Sequence, residues 1–230
     1  MTKTLSTEDA GAEHTEVMGP ELGAIYDALR LEVAWLHLRW KEYVELYGRN
    51  QSRIELLNKV SPDFFQYVEH SFWNETLLHI SRLTDPARSV NKKENLSVQR
   101  LPALLSDEKL RTKVTELIND SIVASAFCRD WRNRRLAHHD LELVTENGAR
   151  PLAAADRRAV SDVLAVLANI LNTIEAHMLN SKTEFAPSQA QGSSLELLYV
   201  LRDGLRFREL QLKRSKKNFL DPDFLDGPEL

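Results

Sequence analysis

The sequence predicts an all-α protein, an up-and-down bundle of five or six helices. Glycine and proline are scarce, with eight of each in 230 residues, and most of the prolines fall where a periodic segment begins or ends. Apolar residues recur at steps of three and four along several long segments, which is the spacing of one face of a helix. Alternation with period two is confined to a weak run at residues 141–145. Long helices joined by loops are therefore the predicted architecture.

The predicted helices are bounded by residues that favour helix starts and stops. Pro20 fits a first helical turn and Gly48 a stop, and an aromatic-rich apolar stripe lies between them. A short helix is predicted at residues 51–60, and a longer one from Ser61-Pro62 to Asp85-Pro86. Three later helix starts are predicted at Ser106-Asp107, after Pro151, and at the capping box formed by Ser193 and Glu196.

The predicted organisation is one helical domain over residues 19–218. A flexible segment is predicted at residues 1–18, which are polar and acidic, and a flexible tail at residues 219–230, which contain Pro222 and Pro228. The last helix ends in a basic run of Lys213, Arg214, Lys216 and Lys217, whose role the sequence leaves open.

Composition limits the classes of function. The formal net charge is -4, so a site for nucleic acid has to be a local patch and not the whole surface. The single cysteine, Cys128, excludes an intrachain disulfide framework and zinc sites built on paired thiolates. The longest uncharged stretch, residues 163–174, is shorter than the roughly 20 residues of a membrane span. We expect a cytoplasmic protein with no membrane partner.

Several familiar sites do not fit the sequence. Neither a Walker pattern nor a glycine-rich Rossmann turn can be drawn from the eight glycines. Glu75 and His79 supply only half of the ligands of a zinc site, so no metal or other cofactor is predicted. His37, His79 and His177 are interpreted as partly buried structural histidines.

One segment is unusual, the run RDWRNRRLAHHD at residues 129–140. Its arginines and histidines are concentrated at the end of a helix whose earlier turns follow an ordinary apolar stripe. On an ideal α-helix His138 continues the face of Trp131, while Arg132 lies about 9 Å from His138 along the axis and about 120° around it. A long arginine side chain can still converge with the imidazole on a shared ligand.

This combination suits a phosphodiester ligand. Guanidinium groups bind phosphate oxygens and stabilise charge that develops on them, and an imidazole that titrates near neutrality can take or give a proton. Neither role requires a metal. The structural alternative is that the arginines bind the last carbonyls of the helix and pair with Asp130 and Asp140. Residue chemistry alone leaves both interpretations open.

The string Arg132-Asn133-x4-His138, at the end of a long helix in an all-α chain, resembles the signature of the HEPN superfamily. The fuller run RNRRLAHHD, the long aromatic first helix and the late segment GSSLELL are similar to its abortive-infection AbiU-like branch. The resemblance covers most of residues 19–212. It implies a HEPN-like helical bundle that dimerises with the motif helices facing one another.

The resemblance also implies metal-independent cleavage of RNA. Arg132 would bind and polarise the scissile phosphate, Asn133 would orient either this phosphate or the arginine, and His138 would act as the acid or base for attack by the ribose 2'-hydroxyl. The expected product is a 2',3'-cyclic phosphate. Around these catalytic residues, the residues expected to bind substrate are Arg129, Arg134, Arg135, His139 and Asp140. Asp140 stands where members regulated by a nucleotidyltransferase partner have a tyrosine, so that mode of control is not expected.

Two functions remain open at this point. The first is an endoribonuclease of the toxin or phage-defence kind, active as a homodimer on RNA, with an antitoxin protein as a candidate partner. The second is a non-catalytic HEPN module that binds nucleotide, RNA or a protein. The net negative charge fits the second slightly better, and the arginine cluster fits the first. A small metal-binding helical protein is a third interpretation that lacks a third ligand.

Overall fold

The computed structural model describes residues 7–89, 92–136, 150–185 and 193–215. These residues contain nine α-helices and no β-strand, which confirms the all-α prediction. The helices are α1 (Thr7–Met18), α2 (Pro20–Tyr47), α3 (Gln51–Val60), α4 (Pro62–Thr84), α5 (Leu101–Leu104), α6 (Glu108–Ala124), α7 (Ala126–Trp131), α8 (Arg157–Met178) and α9 (Ser194–Ser215). A 3-10 turn at Val98–Arg100 precedes α5, and a π-helical turn at Arg132–Leu136 follows α7.

The helix starts follow the predicted local chemistry. Pro20 and Pro62 are the first residues of α2 and α4, where the missing proline N–H costs no intrahelical hydrogen bond. The side chains of Asn50, Asp107 and Asp156 each accept a hydrogen bond from the backbone N–H three residues on. Short-range signals in the sequence therefore place the starts of α2, α3, α4, α6 and α8.

The N-terminal segment differs from the prediction, since Thr7–Met18 forms α1 where a flexible segment was expected. His14 Nδ1 lies 3.0 Å from Asp27 Oδ1 on α2. Gly23 allows the two backbones to approach, because a Cβ at this position would lie 2.6 Å from the His14 carbonyl oxygen. The chain turns between the helices at Gly19, whose φ is +84°. Close packing of the two backbones holds α1 against α2. The sequence analysis missed this helix, because the spacing of apolar residues does not reveal backbone packing.

The described helices group into two compact units. Unit 1 contains the described residues between 7 and 41 and between 71 and 185. Its core is centred on α8, which packs along α6 and buries a full apolar stripe. By length and composition α8 could cross a membrane, but its apolar stripe is already buried in the core of this unit. That stripe consists of Val160, Val163, Leu164, Leu167, Ile170, Leu171 and Ile174.

A buried carboxylate ties α2 to α8 within unit 1. Glu175 Oε2 accepts hydrogen bonds from the Tyr26 hydroxyl at 2.9 Å and the Thr183 hydroxyl at 2.8 Å, and Oε1 accepts one from Ser181 at 2.8 Å. Burial, together with the nearby carboxylate, raises the pKa of Tyr26 above its ordinary value of 10. Because both oxygens of Glu175 accept hydrogen bonds from the fold, this buried carboxyl group has a structural role.

Unit 2 contains residues 42–70 and the described residues 193–215. Here α3 packs on α9, the Tyr47 hydroxyl donates to the Phe65 carbonyl at 2.8 Å, and the Ser194 N–H donates to Glu42 Oε2 at 2.6 Å. Lys213 and Arg214 lie in the last turn of α9. Lys216, Lys217 and the predicted tail lie outside the described residues. The single domain predicted for residues 19–218 stays a prediction.

Candidate functional site

The helix that carries the motif changes its geometry twice. A continuous α-helix was expected here, but α6 ends at Ala124, Ser125 interrupts it, and α7 gives way to the π turn at Arg132. The geometry of an ideal α-helix therefore does not hold for residues 132–136, because a π turn holds more residues than an α turn. Single π turns within helices are frequent at functional sites.

Arg132 is the first residue of this π turn, and its guanidinium is fixed by two neighbours. Nη1 pairs with the carboxylate of Asp85, which follows α4, and Nε donates to Asn133 Oδ1 at 3.0 Å. The side chains of Arg132 and Asp85 are 23% and 20% exposed. The guanidinium therefore has a defined direction and is still reachable from solvent.

Two further motif residues lie at the surface. Asn133 is exposed and accepts the hydrogen bond from Arg132, so the structure brings these two predicted catalytic residues together. Arg135 is also exposed, and its guanidinium carbon lies 5.4 Å from the centre of the Trp131 ring, a cation–π contact.

Arg129 binds the protein itself. Its Nη1 donates to the Thr84 hydroxyl at 3.1 Å and the Ser125 hydroxyl at 3.3 Å, and Nη2 donates to the carbonyl of Ile122. These hydrogen bonds join α7 to the end of α4 and to the last turn of α6. They agree with the alternative interpretation, in which the arginines of the motif bind carbonyl groups of the protein itself. The role of Arg129 in substrate binding stays a prediction.

Arg134 also contacts the backbone of the protein. Its guanidinium donates to the carbonyl of Arg150 at 2.7 Å and to the carbonyl of Pro151 at 3.3 Å. The segment that begins at Arg150 is thus held against the π turn. For Arg134 as well, binding of substrate stays a prediction.

Asp130 and Trp131 hold the same segment from α7. Asp130 accepts hydrogen bonds from the Ala153 N–H at 2.7 Å and from Arg150 Nη2 at 2.9 Å, and the Trp131 indole N–H donates to the Ala153 carbonyl at 2.9 Å. The Trp131 ring packs edge-on against Trp73 of α4 at 6.4 Å. Sequence reasoning missed Arg150 and Ala153, since backbone partners 20 or so residues away leave no local pattern.

His138, His139 and Asp140 lie outside the described residues, which stop at Leu136 and resume at Arg150. Their assigned roles stay predictions. Cys128, on α7, is buried, and burial raises the pKa of its thiol to about 12. This cysteine is therefore not a reactive thiolate near neutral pH.

A cavity of about 330 Å³ adjoins Arg132, because its partner Asp85 lies on the cavity wall. The wall is formed by α2, α4 and the chain that follows α4. Its residues are Glu32, His79, Arg82, Leu83, Asp85, Glu94, Asn95 and Leu96. Sequence reasoning missed this grouping, because it assembles segments far apart in the chain.

His79 is the most buried polar residue of that wall, at 4% exposure. Burial lowers its pKa below the ordinary value of 6.5, against the opposing effect of the Glu32 carboxylate. His37 is half-buried and its Nε2 lies 3.2 Å from the Leu164 carbonyl oxygen. The interpretation as partly buried histidines is confirmed for these two and wrong for His177, which is exposed.

Comparison with known families finds a match over most of the chain. The family model described as AbiU2, of the HEPN type, matches residues 19–196. The match includes the whole motif segment and the cavity wall. A search of curated proteins and a search of solved structures found no match.

Proposed function

Because the chain belongs to the AbiU2 family of HEPN proteins, we propose that it is a metal-independent endoribonuclease of the phage-defence or toxin kind. One observation carries the proposal. Arg132 stands at a π turn with its guanidinium directed by Asp85 and Asn133 and partly open to solvent. A positioned cation of this kind is what stabilisation of a phosphorane-like transition state requires.

The proposed reaction is transesterification within the RNA. His138 takes the proton of a ribose 2'-hydroxyl, the 2'-oxygen attacks the adjacent phosphorus, and the bond from phosphorus to the 5'-oxygen breaks. The 5'-oxygen receives a proton from an imidazolium, which leaves a 2',3'-cyclic phosphate and a 5'-hydroxyl. Arg132 binds the non-bridging oxygens, and Asn133 orients the guanidinium.

The remaining predicted residues form a binding set around this centre. Arg135 supports this part of the proposal best, because it is exposed and its position is fixed on the Trp131 ring. His139 and Asp140 are further members of this set, and Asp140 is the residue proposed to orient the imidazole of His138. Arg129 and Arg134 contribute positive charge while their hydrogen bonds hold the motif in place.

We further propose that the active form is a homodimer in the cytoplasm, with two motifs at one cleft and an antitoxin protein as its regulator. A two-fold axis places the same surface of each protomer at the interface, so each motif meets its copy. This part of the proposal rests on the family and on the exposure of Asn133 and Arg135.

A second function is supported by a specific contact. The ion pair between Arg132 and Asp85 satisfies the guanidinium without any phosphate. In a non-catalytic HEPN module that binds nucleotide, RNA or a protein, the same pair would be purely structural. The two functions differ in whether an RNA chain is cut.

The test is cleavage of a panel of single-stranded and structured RNAs by the purified chain in the presence of a chelator. We expect the wild-type chain to cut and His138→Ala to lose cutting. His177→Ala is the matched control, because it removes an exposed histidine of α8 outside the proposed site. Circular dichroism verifies that both variants keep the helical content of the parent.

Cutting by His138→Ala at the wild-type rate would contradict the proposed mechanism. Absence of cutting by the wild-type chain across the panel would favour the non-catalytic module.

A further inference from the structure

The cavity beside Arg132 combines polar and apolar walls. Glu32, His79 and Asn95 present polar side chains, and Leu83 and Leu96 present apolar ones. Leu83 is buried, whereas Leu96 is 39% exposed. A cavity of about 330 Å³ is large enough for a small planar group whose faces lie on the leucines.

His79 is the feature of this cavity that calls for a ligand. Its Nε2 lies 2.6 Å from Glu32 Oε2, so this side of the ring faces a carboxylate. Its Nδ1 is fully buried and has no hydrogen-bond partner among the described residues. A buried polar atom without a partner costs free energy comparable to a lost hydrogen bond, so the described residues leave one polar group of this wall unsatisfied.

The charges of the wall favour a neutral ligand that is rich in N–H groups. Glu32, Asp85 and Glu94 are hydrogen-bond acceptors when ionised, and Arg82 is the arginine of the wall. Burial lowers the pKa of His79, so its ring is neutral near pH 7. A phosphate in the cavity would meet the Glu32 carboxylate, which pairs with His79 and not with an arginine, whereas a neutral group with several N–H donors would find an acceptor there.

The three carboxylates of the wall differ in whether an arginine already pairs with them. Glu94 pairs with Arg88 at 2.6 Å and with Arg100, and Asp85 pairs with Arg132. Glu32, in contrast, lies against the neutral His79 ring and is about half exposed. Glu32 is thus the carboxylate best able to accept hydrogen bonds from a ligand in the cavity.

We propose that this cavity binds the base of the RNA nucleotide next to the phosphate held by Arg132, and that it selects a base with an exocyclic amino group. The proposal rests on the proposed function. Guanine, adenine and cytosine carry such an amino group, and uracil does not. Guanine fits best, because the N1–H and N2–H groups on its Watson–Crick edge can both donate hydrogen bonds to the Glu32 carboxylate. Asp85 joins the two subsites, since it lines the cavity and pairs with Arg132.

The test is equilibrium binding of GMP and UMP to the full chain, measured by calorimetry. The two ligands share ribose and phosphate, so the difference in Kd isolates the base. We expect GMP to bind at least about tenfold more tightly than UMP, the discrimination of one good bidentate contact. Equal binding of the two nucleotides, or no binding of either, would overturn the proposal.

Two variants locate the site. Glu32→Gln replaces a carboxylate by an amide of the same shape, and Leu96→Trp adds bulk to the cavity wall at a position that is already exposed. Both should abolish the preference for GMP while circular dichroism stays unchanged. Glu116→Gln, on the exposed face of α6, is the matched control and should keep the preference. A preference that survives both cavity variants would overturn the assignment to this cavity.

Cleavage is measured separately, by sequencing the cut ends of a random RNA pool. A chain that cuts without a base preference at the cleavage site overturns the base subsite and leaves the endoribonuclease intact. A chain that prefers GMP but cuts no RNA supports the subsite and counts against the endoribonuclease. Binding of an arginine-rich peptide that depends on Glu32, without binding of GMP, overturns the proposal in favour of a cationic protein partner.

Discussion

The guanidinium of Arg132 pairs with the carboxylate of Asp85, although the two residues lie far apart in the chain. Asp85 follows α4, and Arg132 begins the π turn that follows α7. The pair joins the two segments that form the candidate site and sets the direction of the proposed phosphate ligand.

Asp85→Asn tests whether this carboxylate positions Arg132. Loss of a charge-assisted hydrogen bond costs about 1.5–3 kcal/mol, so we expect kcat for RNA cleavage to fall by roughly tenfold or more, with a smaller change in KM. Asp120→Asn, at an exposed position of α6, is the control. A fall in thermal stability with an unchanged kcat would show that the ion pair stabilises the fold and does not position Arg132 for catalysis.

Trp131→Phe removes a hydrogen bond that joins α7 to the segment beginning at Arg150. The indole N–H donates to the Ala153 carbonyl, and we expect its loss to lower the free energy of unfolding by about 1 kcal/mol in urea titrations. Trp35→Phe is a matched control, because Trp35 is 62% exposed, and it should change stability little. Equal effects of the two substitutions would contradict the anchoring role of Trp131.

Gly23→Ala tests the packing of α1 on α2. The added Cβ would lie 2.6 Å from backbone atoms of α1, so we expect a loss of about 1–3 kcal/mol and faster proteolysis of the N-terminal segment. Gly204→Ala, on α9, meets no atom within 4 Å and should raise stability by about 0.4–1 kcal/mol. A neutral Gly23→Ala would show that α1 is loosely attached.

The buried histidines predict how stability depends on pH. Burial lowers the pKa values of His37 and His79 below the ordinary 6.5, so below that pH the unfolded chain binds more protons than the folded chain. The free energy of unfolding should therefore fall as the pH drops below about 6.5, until the lowered pKa values are reached. Denaturation curves of His79→Asn should show a shallower fall than those of His177→Asn. The same slope in both variants would contradict burial of neutral His79.

Local chemistry made much of the fold predictable. The starts at Pro20, Pro62 and Asp107 depend on residues within one turn, and the apolar stripe of α8 repeats over its whole length. The helix α1 was missed, because backbone packing at Gly23 holds it and no stripe marks it.

The candidate site was predictable only in part. The pattern Arg132-Asn133-x4-His138 identified the motif, and the contact between Arg132 and Asn133 is local. The π turn was not predictable, since nothing in RNRRL distinguishes it from an α-helical continuation. Asp85, Glu32 and Arg150 were missed because long-range packing brings them to the motif.

The central claim is that Arg132 acts on the scissile phosphate of RNA. The most direct measurement is single-turnover cleavage of one RNA in chelator by the wild-type chain, Arg132→Ala and the exposed-arginine control Arg208→Ala, with chemical analysis of the new ends. We expect wild-type and Arg208→Ala to leave a 2',3'-cyclic phosphate at equal rates, and Arg132→Ala to be slower by roughly two to three orders of magnitude. Cleavage by Arg132→Ala at the wild-type rate, or ends with a 3'-hydroxyl, would contradict the claim.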